Sequence, residues 1–218
     1  MSTTAFSPRA VTGDPIPTFS YGAGGSFTIL CSGRIAATPR ACLDVVVKAS
    51  EYPTWNRFCR KCTIDSQPSQ PNQQQQDQIS LQLGTQFTFD VHLDPSEPDT
   101  KTGQAVALEV SALEPIDDDA QEGGGRRRGW RIAWRQRPSL MMPSWMLRSE
   151  RVQEFIEVAV DGSESPSGTE TEYRCWETFY GVLAPVVRLA AARQVEGGFD
   201  AWLAGLKRLA EGGEQTAA

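Results

Sequence analysis

The sequence predicts an α+β fold: an antiparallel sheet of about seven strands, two short helices after the first of them, and one long C-terminal helix. Three observations predict it. Apolar and polar residues alternate with period two in segment after segment of the chain's middle. Thr38-Pro39 places an N-cap and a first-turn proline directly after the first such segment. Val187, Ala191, Val195, Phe199, Trp202, Leu206 and Leu209 recur at helical spacing near the end.

The elements follow in order. Residues 26–37 are rich in β-branched and aromatic side chains and read as a strand, and 39–48 as the capped helix. Tyr52-Pro53-Thr54-Trp55-Asn56 is an aromatic turn or a second short helix, with an extended segment from 58 to 66. Phe87, Phe89, Val91 and Leu93 then alternate with polar residues, as do Val106, Leu108 and Val110. Trp130, Ile132 and Trp134 alternate with Arg131, Ala133 and Arg135, so the indoles point inward. Strands over 151–160 and 169–181 form a hairpin about the polar turn 161–168. The final helix covers 185–211 and stops at Gly212-Gly213. Residues 1–25 are expected as a disordered tail, 26–211 as one domain, 67–80 and 115–128 as flexible loops, and 212–218 as a second tail.

Composition narrows the function. The 218 residues are 39% hydrophobic, enough for one real core, and 27 acidic against 21 basic residues leave a net charge of −6. That balance speaks against non-specific binding to nucleic acid or to an anionic membrane. Five cysteines are an odd number, as expected of free thiols in a reducing, cytoplasmic setting rather than of a disulfide scaffold. The N-terminus lacks the pattern of a signal peptide, and no apolar run is long enough to span a membrane. There is no Gly-x-Ser-x-Gly, phosphate-binding glycine loop or His-Glu-x-x-His, and the single histidine, His92, excludes histidine triads and multi-histidine metal sites. His92 is expected on a wet strand face. Cys59 and Cys62, three apart on a strand, are expected to face opposite ways, and Arg126-Arg127-Arg128 to form a solvated loop. No metal and no cofactor are expected.

The element order carries further resemblance through four segments. They are Tyr52-Pro53-Thr54-Trp55-Asn56, the strand start Ser149-Glu150-Arg151-Val152, Trp176-Glu177-Thr178-Phe179-Tyr180-Gly181, and Gly198-Phe199-Asp200-Ala201-Trp202-Leu203 leading to Leu206-Lys207. Together they resemble the SRPBCC or START-like superfamily, near its polyketide cyclase/dehydrase branch, over residues 26–211. The resemblance implies a helix-grip fold, in which a curved sheet wraps the C-terminal helix around a deep apolar cavity. It implies binding of a hydrophobic small molecule such as a lipid, quinone, sterol or polyketide. Because a fold hosts many functions, a cyclase/dehydratase-type enzyme and a cochaperone-like interaction module are the rivals.

Candidate site residues follow from the apolar faces. The ligand would be lined by Trp55, Phe87, Phe89, Val91, Leu108, Val110, Trp130, Ile132, Trp134, Ile156, Cys175, Phe199 and Trp202. Residues 140–147 hold three of the four methionines, and Met142, Trp145 and Met146 are expected to form a lid. If Arg151 and Arg174 face solvent, alternation sends Val152, Glu154 and Ile156 inward on one strand and Tyr173, Cys175, Glu177 and Phe179 inward on the next. Glu154 and Glu177 would then lie roughly 5–8 Å apart on a diagonal, a candidate acid/base pair with Tyr173 as an added donor.

Overall fold

Alternation of side chains does build strands, and all of them join one antiparallel sheet. The computed structural model describes residues 7–68, 80–98, 101–119, 126–159 and 169–215. Its strands are β1 (Val11–Gly13), β2 (Phe27–Ile35), β3 (Cys59–Ser66), β4 (Gln86–Val91), β5 (Gln104–Asp119), β6 (Arg126–Gln136), β7 (Arg148–Ala159) and β8 (Thr169–Tyr180). They lie in the order β1-β2-β8-β7-β6-β5-β4-β3, in a sheet that is curved and not closed. Helix α1 (Pro39–Val47) starts where Thr38 Oγ1 accepts the Ala41 N–H at 3.2 Å, and it buries Cys42, Leu43, Val45 and Val46. Helix α2 (Tyr52–Trp55) ends at Asn56, whose Oδ1 accepts the N–H groups of Phe58 (3.0 Å) and Cys59 (2.8 Å) and so aims the chain into β3.

Helix α3 (Ala184–Gln215) lies in the concavity against β1, β2, α1 and α2. Two of its residues permit that closeness. A Cβ on Gly198 would lie 2.3 Å from the Phe58 ring, and one on Gly205 2.3 Å from the Trp55 carbonyl oxygen. The helix runs through Gly212 and Gly213 instead of stopping there. Its last turns are tied down, because Glu211 accepts the Ala36 N–H at 2.9 Å and Lys207 donates to the Arg34 carbonyl at 3.1 Å.

Two expectations about loops and tails change. Within the expected tail, β1 pairs with β2, and the chain beyond it crosses the convex face of the sheet. There Ile16 N–H donates to Thr28 Oγ1 (2.9 Å), Thr178 Oγ1 donates to the Ile16 carbonyl (2.7 Å), and Ser20 N–H and Oγ donate to the Glu150 carboxylate (2.7 Å each). Ile16 closes a second, small core of Leu30, Ala112, Ala133, Val152 and Trp176. The prolines that suggested disorder sit in a segment whose amides are satisfied by buried side chains. Likewise, the expected loop 115–128 is mostly ladder: Asp119 pairs with Arg126, and Arg126 and Arg127 bind Asp117 and Asp118 at 2.5 and 2.9 Å. Residues 120–125, 161–168 and most of 67–80 lie outside the described residues.

Candidate binding site

The space between sheet and α3 is filled by rings. Trp202 is fully buried and meets Trp55 (5.2 Å between centroids), Tyr52 (5.7 Å), Trp134 (5.8 Å) and Phe89 (6.1 Å). Phe87 stands edge-on to Phe89 at 4.9 Å and to Trp134 at 5.9 Å. Leu108, Val110, Ile132, Cys175 and Phe199 join this core, and Val91 and Trp130 pack half-buried at its margin. Alternation therefore identified the concave faces of β4, β5, β6, β8 and α3. These side chains meet each other, where an open cavity was expected.

Strand β7 is where the sequence reading fails. Its register sets Glu154 opposite Arg174, not Cys175, and sets Arg151 opposite Glu177. Glu154, with Val152 and Ile156 on the same parity, faces the convex side. There Arg131 donates to Glu154 Oε1 from Nε (3.0 Å) and Nη2 (2.5 Å), and Arg127 Nη1 lies 3.5 Å from Oε2. Glu154 and Glu177 are thus on opposite faces of the sheet and cannot share a substrate. Ile156 lines no ligand space between sheet and α3. Both faces of β7 are covered, the concave one by α1 and by the α3 rings that stack on Arg151, the convex one by the N-terminal segment. Polar and apolar residues occur on each parity, so alternation cannot say which is inside.

The lid expectation also changes. Trp145 is exposed, Met142 and Met146 are half-buried, and the loop does not close over the rings. His92 is buried, not wet, and its Nε2 meets Asp90 Oδ2 at 3.0 Å. Cys59 and Cys62 both pack against the concave core. Arg60 is an extra residue between the pairs Cys59–Val91 and Lys61–Asp90, and this bulge restores the two thiols to one side. Burial pushes Cys62 up to about 12 and Cys59 higher still, so both stay protonated. Among the described residues no three His, Cys, Asp or Glu side chains are grouped to hold a metal ion.

What β7 places inside instead is Arg151. It is 3% exposed, with its guanidinium carbon 4.0 Å from the Phe199 ring centre and 4.2 Å from that of Trp202. Its Nε donates to Cys175 Sγ at 3.2 Å, and Tyr173 OH donates to Gln153 Oε1 at 2.8 Å. Arg151, Gln153, Tyr173, Cys175 and Glu177 so form a polar floor on two adjacent strands beneath the rings, joined from β2 by Cys31 opposite Cys175. Among the described residues the Nη2 of Arg151, the Nε2 of Gln153 and the indole N–H of Trp202 have no acceptor. Arg151 is not legible as a core residue in the sequence, because an arginine in a strand reads as solvent-facing. Nothing in Ser149-Glu150-Arg151-Val152-Gln153-Glu154 breaks that tie.

The floor holds one permanent cation and two acids of opposite tendency. Burial drives the Cys175 thiol up. The hydrogen bond with Cys31, the charge of Arg151 and the hydrogen bonds of Tyr173 and Arg151 outweigh it, and the thiol falls to about 7. Its partner Cys31 moves the other way, through that shared hydrogen bond and burial. Glu177 is half-buried by area yet enclosed by enough protein that desolvation raises its pKa, against the opposing pull of Arg151 and a Ser149 hydrogen bond.

A raised carboxyl pKa means that the folded chain holds the Glu177 proton more tightly than the unfolded chain does. This group therefore favours folding at acid pH, and that support is withdrawn as pH rises through the folded pKa. Glu177→Gln is expected to be at least as stable as wild type at neutral pH and to flatten this part of the pH–stability curve, measured by urea unfolding across pH. A loss of stability at neutral pH would show that the carboxylate form is the one the floor needs.

No family model and no curated protein matches the sequence. Among solved structures the chain is similar to a hypothetical protein from Helicobacter pylori, with 16% identity, 83% of this chain and 87% of the other covered, and a TM-score of 0.49. It is similar also to a START superfamily protein from Mycobacterium smegmatis (14% identity, 88% and 99% covered, TM-score 0.46) and to a protein from Thermus thermophilus (9%, 84% and 96%, TM-score 0.49). At identities this low, what the chain does has to be read from its own buried residues.

Proposed function

We propose that the protein binds an apolar small molecule bearing a carbonyl or carboxylate head between the sheet and α3, with Arg151 receiving the head. One observation carries this reading: a fully buried guanidinium, stacked between Phe199 and Trp202, keeps a donor without an acceptor. Burying a charged donor without pairing all its protons is costly, and native interiors seldom tolerate it without a reason. An acceptor on a ligand would satisfy Arg151 and the neighbouring Gln153 amide, while flat apolar atoms replace the ring contacts around Trp202.

Entry is supported by the uneven anchoring of α3. Residues 199–206 of the helix carry Phe199, Trp202 and Leu206 into the core, and the first half that precedes Phe199 buries mainly the smaller Ala184, Ala192 and Val195. Small side chains offer little contact area, so the first half separates from the sheet at lower cost.

Intrinsic tryptophan fluorescence and thermal unfolding, titrated with flat apolar acids, ketones and the matching hydrocarbons, test this. Saturable changes are expected for the acids and ketones. Arg151→Met keeps the stacking volume, and it is expected to weaken their binding about 10- to 100-fold, the range for a hydrogen bond to a charged group, with hydrocarbon binding unchanged. No saturable response from any compound, or an unaltered preference in the variant, would remove the reading.

A further inference from the structure

The loop at 138–147 meets the turn that opens α3, and both segments leave large apolar side chains uncovered. Leu140 is 104% exposed, Met141 90% and Trp145 65%, and Val182, Val186 and Leu189 follow at 66%, 57% and 90%. Val186 and Leu189, three apart, share one stripe on the first turns of α3, and Val182 lies in the turn just before it. The two segments are stitched together, since Val182 N–H donates to the Trp145 carbonyl at 3.3 Å and Leu183 N–H to the Met146 carbonyl at 2.9 Å. So many large apolar groups exposed in one region call for a partner.

Charge identifies that partner's chemistry. Residues 137–148 and 181–195 contain Arg137, Arg148, Arg188 and Arg193 and no Asp or Glu, in a chain whose net charge is −6. Arg137 is held by Gln86 and Asp65, and Arg148 lies over the Tyr21 and Tyr180 rings. Arg188 and Arg193 have no ion pair among the described residues, and Arg193 sits one turn past Leu189 on the same stripe. The acids that bound these segments are engaged elsewhere: Glu150 by Ser20 and Ser111, and Glu196 by Thr12.

From this arrangement we propose that the face docks the protein on an anionic lipid bilayer, lying on the membrane without crossing it. Leucine, methionine and valine enter the boundary of the acyl chains, Trp145 sits at headgroup level, and the arginines meet lipid phosphates. A second copy of the chain fits the face less well, because apposing two such faces brings their arginines together. The proposal does not depend on ligand binding between sheet and helix.

Co-sedimentation with vesicles tests it, using phosphatidylcholine alone against equimolar phosphatidylcholine and phosphatidylserine. Wild-type protein is expected to bind the anionic vesicles, less so as salt rises, with a blue shift in tryptophan emission from Trp145. Trp145→Ser with Leu189→Ser is expected to lower the partition coefficient about tenfold or more on burial grounds, and Arg188→Glu with Arg193→Glu to abolish the preference for phosphatidylserine. These side chains are exposed, so an unchanged unfolding temperature separates lost docking from lost fold. Absence of vesicle binding by wild type, or variants that bind equally well, overturns the proposal. Self-association that the same substitutions abolish would also overturn it, assigning the face to a second copy. Fluorescence titration of apolar acids without vesicles reads the Arg151 site separately, so failure of one leaves the other standing.

Discussion

Trp202→Ala is expected to lower stability by about 3–5 kcal/mol, the range for removing a fully buried large aromatic from a packed core. Trp202 stands where four other elements meet α3: Tyr52 and Trp55 of α2, Phe89 of β4, Trp134 of β6 and Arg151 of β7 all touch it. No single neighbour can move into the space without leaving another, so the void persists and its lining loses dispersion contacts. The substitution also strips one ring face from Arg151, worth about 0.5–2 kcal/mol for a cation over an aromatic face. A shift of the urea midpoint at unchanged slope is the measurement. A loss below about 1 kcal/mol would mean that the ring lines a pre-existing opening instead of filling a core.

The second large effect belongs to the convex face and inverts what two inward carboxylates would have done. Had Glu154 shared the interior with Glu177, replacing it by a neutral amide would have relieved repulsion. Because it is instead buried against Arg131, Arg131→Met is expected to cost about 2–4 kcal/mol, near the range for stranding one member of a buried pair. Arg127 Nη1, 3.5 Å from the other carboxylate oxygen, keeps the loss below the top of that range. The pairing of Arg131 with Glu114 at the exposed end contributes little. The double variant Arg131→Met with Glu154→Leu should recover most of the loss, since two apolar groups have no charge left to compensate. Unfolding free energies for the two single variants and the double one form a mutant cycle. Additive losses would place Glu154 in solvent and refute the convex assignment.

Where one face of a segment is wet and the other buried, the chain reported its own structure. β4, β6, β8 and α3 were legible because Phe87 and Phe89, Trp130 to Trp134, Tyr173 to Phe179 and Phe199 to Leu206 stand against polar residues at a single period. Helix α1 was legible from Thr38 and Pro39 alone, because a cap is a local hydrogen bond. The element order, the antiparallel sheet and the long final helix all came from such local signals.

Tertiary structure decided the rest. β7 is covered on both sides, and only the partner register shows that Arg151 enters the core while Glu154 leaves it. The bulge at Arg60, which returns Cys62 to the side of Cys59, adds one residue that periodicity cannot anticipate. Whether rings from five strands and two helices leave a cavity or close on one another is a question of summed volumes, and composition holds no answer to it. The exposure of Trp145 beside Val182 is likewise a relation between segments far apart in the chain. Local sequence sets the period of each element, whereas the side that faces inward depends on what the remaining chain lays against it.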